Sequence, residues 1–492
     1  MHSLSDKAGF LIVANLFKYA VGFVMPMVLV RLLEQQEYGT YQQLLLVSTA
    51  AAGIMTLGLP TSIYYFYHHV SADRRPALIF QTSLMLAISG MICAGLIYLA
   101  SPYIADRMSN PGLTGLLNIY VIYIAFFIAG EYFVHLLISQ DRYRIAVGFE
   151  AGETAVRVMV LVIPLWLGYG LAGLVWAAII YAGLRLAVRT ILVFSGDTGT
   201  AGTWTKSPFP LEQLHYSIPL ALTSFVGLVG GLLDKAIIAA FFTPVHYAIY
   251  SVGALEIPLD VIFQASVANV LRASFPPLVR DGNMAELVRI WREAVRKLGI
   301  IVLPSFVFLL GFSYDFITLL FTSKYAESVH VFRIYLFMMP LHMFVFSLIP
   351  QVFGKTRYNL YIVVIATAVK IALSFIFLET IGFYGPAMAT VIVAYMTIGI
   401  YFVVAARLVN TNAWRLLPWA SLGKISVATA VSLGMAYSLR GVTDIKWLDL
   451  VVCSAAYSGG FLLLGALFGV FTEDDRNLAR RWISRILPVN MR

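Results

Sequence analysis

Apolar stretches of twenty or more residues recur along nearly the whole chain, and they constrain its fold more than any other feature. A membrane-spanning helix needs about 20 mostly apolar residues. Fourteen such runs can be marked, at 9–31, 41–66, 77–100, 114–138, 146–168, 171–193, 217–242, 247–271, 298–320, 328–352, 358–380, 383–406, 421–440 and 447–471. They are continuous rather than alternating, which specifies helices and not the strands of a transmembrane barrel. Only 12% of the 492 residues are charged and 60% are hydrophobic, about half the charge of an ordinary soluble domain. A soluble domain and a disordered chain are both excluded. The expected fold class is all-α, a polytopic membrane protein of about fourteen transmembrane helices.

The basic residues orient these spans. With a cytoplasmic N-terminus, 23 of the 34 Lys and Arg fall in inner loops and tails and 5 on the outer side, as the positive-inside rule requires of an even count. Both termini are therefore expected in the cytoplasm, with the chain in the inner (plasma) membrane. Met1–Lys7 leads straight into the first run with no small-residue cleavage site, so that run is expected to remain as a span. The net charge of +9 thus reflects topology, and no nucleic-acid partner is expected. Cys93 and Cys453 lie inside apolar runs, which argues against a disulfide framework or a thiol metal site.

The chain repeats itself. Leu32-Leu33-(x4)-Tyr38-Gly39-x-Tyr41 is echoed by Phe241-Phe242-(x4)-Tyr247-Ala248-x-Tyr250, 209 residues on. Gly170-x-x-Gly173-(x3)-Ala177 is echoed by Gly382-x-x-Gly385-(x3)-Ala389, 212 residues on. Two matches at nearly one offset imply a duplicated six-helix unit. Because six is even, both copies face the same way, related by a pseudo-two-fold axis along the membrane normal. The expected division is a six-helix lobe over 1–205, a second over 206–410, and two additional spans with a basic tail over 411–492.

No HExxH, GxSxG or glycine-rich nucleotide loop is present, and no outer loop is large enough to house a glycosyl-transfer reaction. Gly354-Lys355-Thr356 lacks the glycine that a phosphate loop needs five residues earlier, where Ile349 stands. The chain is expected not to be an enzyme and to need no metal or other cofactor. The inner stretch 272–297 is amphipathic, with Leu287, Ile290, Trp291 and Val295 near one face, and is expected to lie on the inner leaflet. Tyr64, Tyr65, Tyr67, Tyr247 and Tyr250 near span ends suit interfacial belts.

Charges inside the spans carry the functional signal. The cations are Lys18, Arg157, Arg185, Lys235, Arg333 and Lys370; the acids are Glu131, Glu150, Glu153, Asp234, Glu256, Asp260 and Asp315. A charge at bilayer depth costs roughly 2.5–3.5 kcal/mol, so this set implies a hydrated internal cavity. Arg157 and Lys370 stand 213 residues apart, close to the repeat offset. They would occupy equivalent depths in the two lobes and attract a phosphate or an acidic sugar, unless Arg157 simply pairs with Glu153 at i,i+4. Lys18 and Lys370 have no acid nearby on their own helices. Asp234 and Lys235 are adjacent, point about 100° apart on a helix and cannot neutralise one another. Glu256 and Asp260, at i,i+4, either bind a coupling proton or cation or serve as counter-charges to Lys235. Prolines at 26, 60, 164, 219, 258, 304 and 340 interrupt spans, which suits alternating access.

Arg31-Leu32-Leu33 leading to Tyr38-Gly39-x-Tyr41, the echo of that motif after Asp234-Lys235, and the paired glycine signatures resemble the Wzx-type O-antigen and exopolysaccharide repeat-unit flippases. These belong to the multidrug/oligosaccharidyl-lipid/polysaccharide (MOP) exporter superfamily. The resemblance implies a two-lobed bundle that moves a polyprenyl-pyrophosphate-linked oligosaccharide from the inner to the outer leaflet by alternating access through a cationic central cavity. Such a protein serves surface polysaccharide or lipopolysaccharide synthesis. Lys18, Arg157, Lys235 and Lys370 are the candidate substrate contacts, and Asp234, Glu256 and Asp260 the candidate sites for proton or sodium coupling. The partners implied are the lipid-linked oligosaccharide, membrane lipids, and the polymerase and other polysaccharide assembly proteins. Lipid II flippases carry several arginines and an aspartate in their first two spans, where this chain has Arg31 alone. Multidrug exporters mostly stop at twelve spans and favour acidic cavities. A non-transporting scaffold of a polysaccharide assembly complex is the alternative from another class.

Overall fold

The computed structural model describes residues 4–195, 210–473 and 475–477, with side chains from residue 17 onward. Lys206, Arg480, Arg481, Arg485, Arg492 and the side chain of Lys7, all counted on the inner side above, lie outside the described residues. Among the described residues every regular element is helical. The α-helices are α1 (Leu4–Leu32), α2 (Gln35–Met55), α3 (Leu59–His69), α4 (Arg75–Arg107), α5 (Leu113–Ala129), α6 (Tyr132–Ser139), α7 (Tyr143–Trp166), α8 (Gly170–Phe194), α9 (Pro210–Phe241) and α10 (Pro244–Gly253). They continue with α11 (Pro258–Arg280), α12 (Met284–Gly311), α13 (Ser313–Phe321), α14 (Ser328–Leu336), α15 (Leu348–Val352), α16 (Arg357–Ile381), α17 (Gly385–Val409), α18 (Trp419–Ser438) and α19 (Lys446–Leu467).

These helices fall on the fourteen expected spans, several of which are broken in two. Among the described residues nine helical stretches are long and apolar enough to cross a membrane, one of them, Arg357–Val409, holding both α16 and α17. The others expected are α1, α7, α18 and the broken pair α10–α11. Helix α7 falls short because it carries Glu150, Glu153 and Arg157. Of the prolines, Pro258 opens α11 after a non-helical stretch and Pro340 sits in a 3-10 turn over Met339–Met343. Pro26, Pro164, Pro219 and Pro304 run inside continuous helices, as membrane helices tolerate.

The chain packs as two compact units, one of residues 1–256 with 367–390 and one of 257–366 with 391–492. In the first, α7 lies against α1 and α8, α5 against α4 and α8, α3 on α6, and α2 on α9 and α10. The N-terminal part of α9 is fixed by a buried polar knot. The Gln213 amide nitrogen donates to Ser62 Oγ at 2.9 Å and Thr82 Oγ1 at 2.8 Å, while its oxygen accepts from Gln81 at 2.9 Å. In the second unit α12 packs on α11 and α18, and α18 on α19. Arg296 ties the chain beyond α19 to α12, reaching Glu293 at 2.6 Å, Asp475 at 2.7 Å and the Val470 carbonyl at 2.9 Å.

The repeated motifs have structural counterparts. The first pair meet each other, because α2 packs on α10, and Tyr38, Tyr41, Tyr247 and Tyr250 are all buried. A Cβ on Gly39 would collide with the Pro244 carbonyl, so the approach of the two helices requires glycine there. In the second pair Gly170 and Gly382 both adopt positive φ, 57° and 77°, a conformation that glycine takes without steric penalty.

Three expectations are corrected. Tyr247 and Tyr250 are core residues, not members of an interfacial belt. Leu287, Trp291 and Val295 are buried within their own unit, with Trp291 stacked on Phe346 at 4.8 Å, so that face of α12 packs on protein rather than on lipid. Arg189 and Arg296, two of the 23 cations counted in inner loops and tails, lie within α8 and α12, buried and ion-paired.

Candidate cationic cavity

Helix α7 places Glu150, Glu153 and Arg157 at spacings of three and four, which puts them on one face. The other side of the same helix exposes Val156, Met159 and Ile163. Helix α8 repeats the arrangement, with Tyr181, Arg185 and Arg189 in line and Ile180, Leu184 and Val188 exposed. The two polar faces wall a cavity of about 540 Å³, closed further by α1, α2 and α5. This is how two lipid-compatible helices carry charge at bilayer depth: the ionisable side chains turn inward.

Four cations, Lys18, Arg157, Arg185 and Arg189, and three carboxylates, Glu131, Glu150 and Glu153, line this space. Three cations are matched. Lys18 Nζ lies 2.8 Å from Glu150, so its acid is supplied by α7 and not by its own helix. Arg185 lies 2.7 Å from Glu131 and 3.5 Å from Glu153. Arg189 donates twice to Glu153, at 2.8 and 2.6 Å, and once to the Gly130 carbonyl between α5 and α6, at 2.5 Å. Arg157 has no ion pair among the described residues. The i,i+4 pairing with Glu153 does not form, because Arg189 holds that carboxylate. Arg157 instead lies near Tyr41, Tyr123 and Tyr181 on the cavity wall. It is exposed to the cavity. A guanidinium stays charged at any physiological pH and offers a planar fork of donors, so the surplus positive charge sits where an anion can reach it.

The other candidates lie elsewhere. Lys370 on α16 is buried and does not line this cavity; its Nζ donates to the Gly230 carbonyl at 2.6 Å and lies 3.7 Å from Asp234. Asp234 also accepts from Tyr250 at 3.3 Å. The acid beside Lys370 therefore comes from α9 and not from its own helix. Lys235, next to Asp234, is half-buried and has no ion pair among the described residues. Glu256 and Asp260 do not share a helical face. The chain leaves α10 after Gly253 and re-enters helix at Pro258, which leaves Glu256 exposed in the break. Asp260 is buried in the second unit, 2.5 Å from His342 Nδ1.

Residues 28–330 match the model of the family described as polysaccharide biosynthesis protein. The chain belongs to that family. Solved structures share its fold. The lipid II flippase MurJ in an inward closed conformation superposes with a TM-score of 0.72 at 15% identity, covering 93% of this chain and 98% of that one. An inward-facing multidrug resistance MATE transporter of the MOP superfamily gives 0.64 at 14%, covering 81% and 94%. A MOP-superfamily transporter from Pyrococcus furiosus, described as having a binding pocket of reverse polarity, gives 0.55 at 13%, covering 82% and 94%. Comparison with curated protein sequences finds no match. The chain is thus a polytopic membrane protein with the fold of MOP-superfamily transporters.

The cavity contains several residues that the sequence did not single out. Glu131, Glu150, Glu153 and Arg185 were visible only as intramembrane charges, and Arg189 looked like a loop residue. The usable signal was the pairing of two i,i+4 sets, Glu153/Arg157 and Arg185/Arg189, on consecutive spans.

Proposed function

We propose that this protein moves a polyprenyl-diphosphate-linked oligosaccharide repeat unit from the inner to the outer leaflet of the inner membrane, for O-antigen, lipopolysaccharide or exopolysaccharide synthesis. Membership of a polysaccharide biosynthesis family supports the class of cargo. The observation that carries the reading is the charge inventory of the cavity: three carboxylates against four cations, with Arg157 the one lacking an acid. On this reading the diphosphate meets Arg157, with Lys18 and Lys235 as further contacts, while the lipid tail stays in the bilayer.

Asp234 and Asp260 are assigned to coupling. Each is a buried carboxylate engaged by a basic partner, Lys370 and His342. Loss of the Asp234 contact makes Lys370 available to substrate. Glu256, exposed at the helix break, is the third coupling candidate, and sodium in place of a proton belongs to the same reading. The halves 1–205 and 206–410 are assigned to the alternating-access cycle, with 411–492 as an addition. Both termini are placed in the cytoplasm, within reach of assembly proteins.

The test is complementation of a deletion strain. Arg157→Gln is expected to abolish surface polysaccharide and to accumulate its lipid-linked precursor, with Arg157→Lys retaining part of the activity. Normal polysaccharide in the Gln variant at wild-type membrane abundance overturns the reading.

A further inference from the structure

The ion pairs of the cavity leave two kinds of group over. Arg157 has no acid among the described residues. Glu150 uses Oε1 for Lys18 and Glu131 uses Oε1 for Arg185, and each carboxylate keeps a second oxygen on a side chain that is 27% exposed.

From this asymmetry, granted the diphosphate-linked cargo proposed above, we infer that the sugar held beside the diphosphate is neutral and hydroxyl-rich and that an acidic sugar is excluded. An ionised carboxylate only accepts hydrogen bonds. A sugar hydroxyl donates to it, whereas a uronate has no proton to give at its own carboxylate and is repelled by like charge. The count of charges agrees. Four cations against three carboxylates leave one net positive charge in this cavity, which a diphosphate already exceeds, so no cation of the cavity remains to balance another anion. A site built to accept from a hydroxyl discriminates strongly against an analogue that lacks it.

Two probes differing only at C6 of one sugar test this: a prenyl-diphosphate disaccharide carrying galactose and its counterpart carrying galacturonic acid. Their dissociation constants and translocation rates are measured with the full-length protein in proteoliposomes. The wild type is expected to prefer the galactosyl probe at least tenfold, and Glu150→Gln to narrow that ratio at least threefold, whatever its absolute rates. Equal handling of both probes by the wild type, or an unchanged ratio in a folded Glu150→Gln variant, overturns the exclusion of acidic sugars and leaves the cargo class standing. Failure of the wild type to bind either probe overturns the cargo class and this inference together.

Discussion

Arg189 holds the carboxylate of Glu153 through two hydrogen bonds, at 2.8 and 2.6 Å, across the contact of α8 with α7. That bidentate grip explains why Arg157, one turn further along α7, has no acid. Removing one member of a buried pair strands the other charge and costs about 3–5 kcal/mol. Glu153→Gln is therefore expected to lower thermal stability sharply in detergent micelles. Replacing both residues, with Glu153→Leu and Arg189→Leu, is expected to restore much of it. A Glu153→Gln protein that melts like the wild type contradicts the assignment.

Gly39 offers a second test. A methyl group there runs into the Pro244 carbonyl, and backbone cannot swing aside as a side chain can. Gly39→Ala is expected to separate α2 from α10 at a cost of roughly 1–3 kcal/mol, the usual range for overpacking. Its measure is the yield of folded protein by size-exclusion chromatography, and a yield equal to wild type would falsify the close approach.

Lys370 and Asp234 are expected to behave as a coupled pair. Lys370→Met strands a buried carboxylate and should destabilise more than Asp234→Asn and Lys370→Met combined. The double-mutant cycle, read by thermal unfolding, should give a coupling energy of about 0.5–3 kcal/mol. Additive single effects would mean that the two side chains act independently.

Asp475 provides a pH-dependent contact outside the spans. Burial raises its pKa, but hydrogen bonds from Arg296 and from the backbone and hydroxyl of Thr472 outweigh this and leave it below the ordinary value. A depressed folded-state pKa contributes stability that is complete above the unfolded value of about 3.9 and is lost as pH falls through the lower folded value. The stability gap between wild type and Asp475→Asn should therefore be full at pH 6 and shrink below about pH 4. A gap that stays constant down to pH 3 would count against the clasp.

The positions of the spans were legible in the sequence because a bilayer demands a fixed length of apolar chain, and α4, α8 and α19 answer it directly. Arg157 and Lys18 were legible as cavity residues because a charge facing hydrocarbon is too costly to keep without a partner or water. What sets the site apart was not legible. Lys18 finds Glu150 on another helix, Lys370 finds Asp234 far back along the chain, and no spacing rule reports contacts between helices. Arg189 lies near the end of an apolar run, where a cation ordinarily marks the inner membrane face, so its burial against Glu153 gave no local sign. The error over Glu256 and Asp260 came from carrying helical periodicity through a break whose marker, Pro258, lies between them.

The knot around Gln213 pins α9 to its neighbours. One amide satisfies Ser62, Thr82 and Gln81 together, in a single orientation of its oxygen and nitrogen, so the alignment of the seventh span is set by side chains reaching in from α3 and α4.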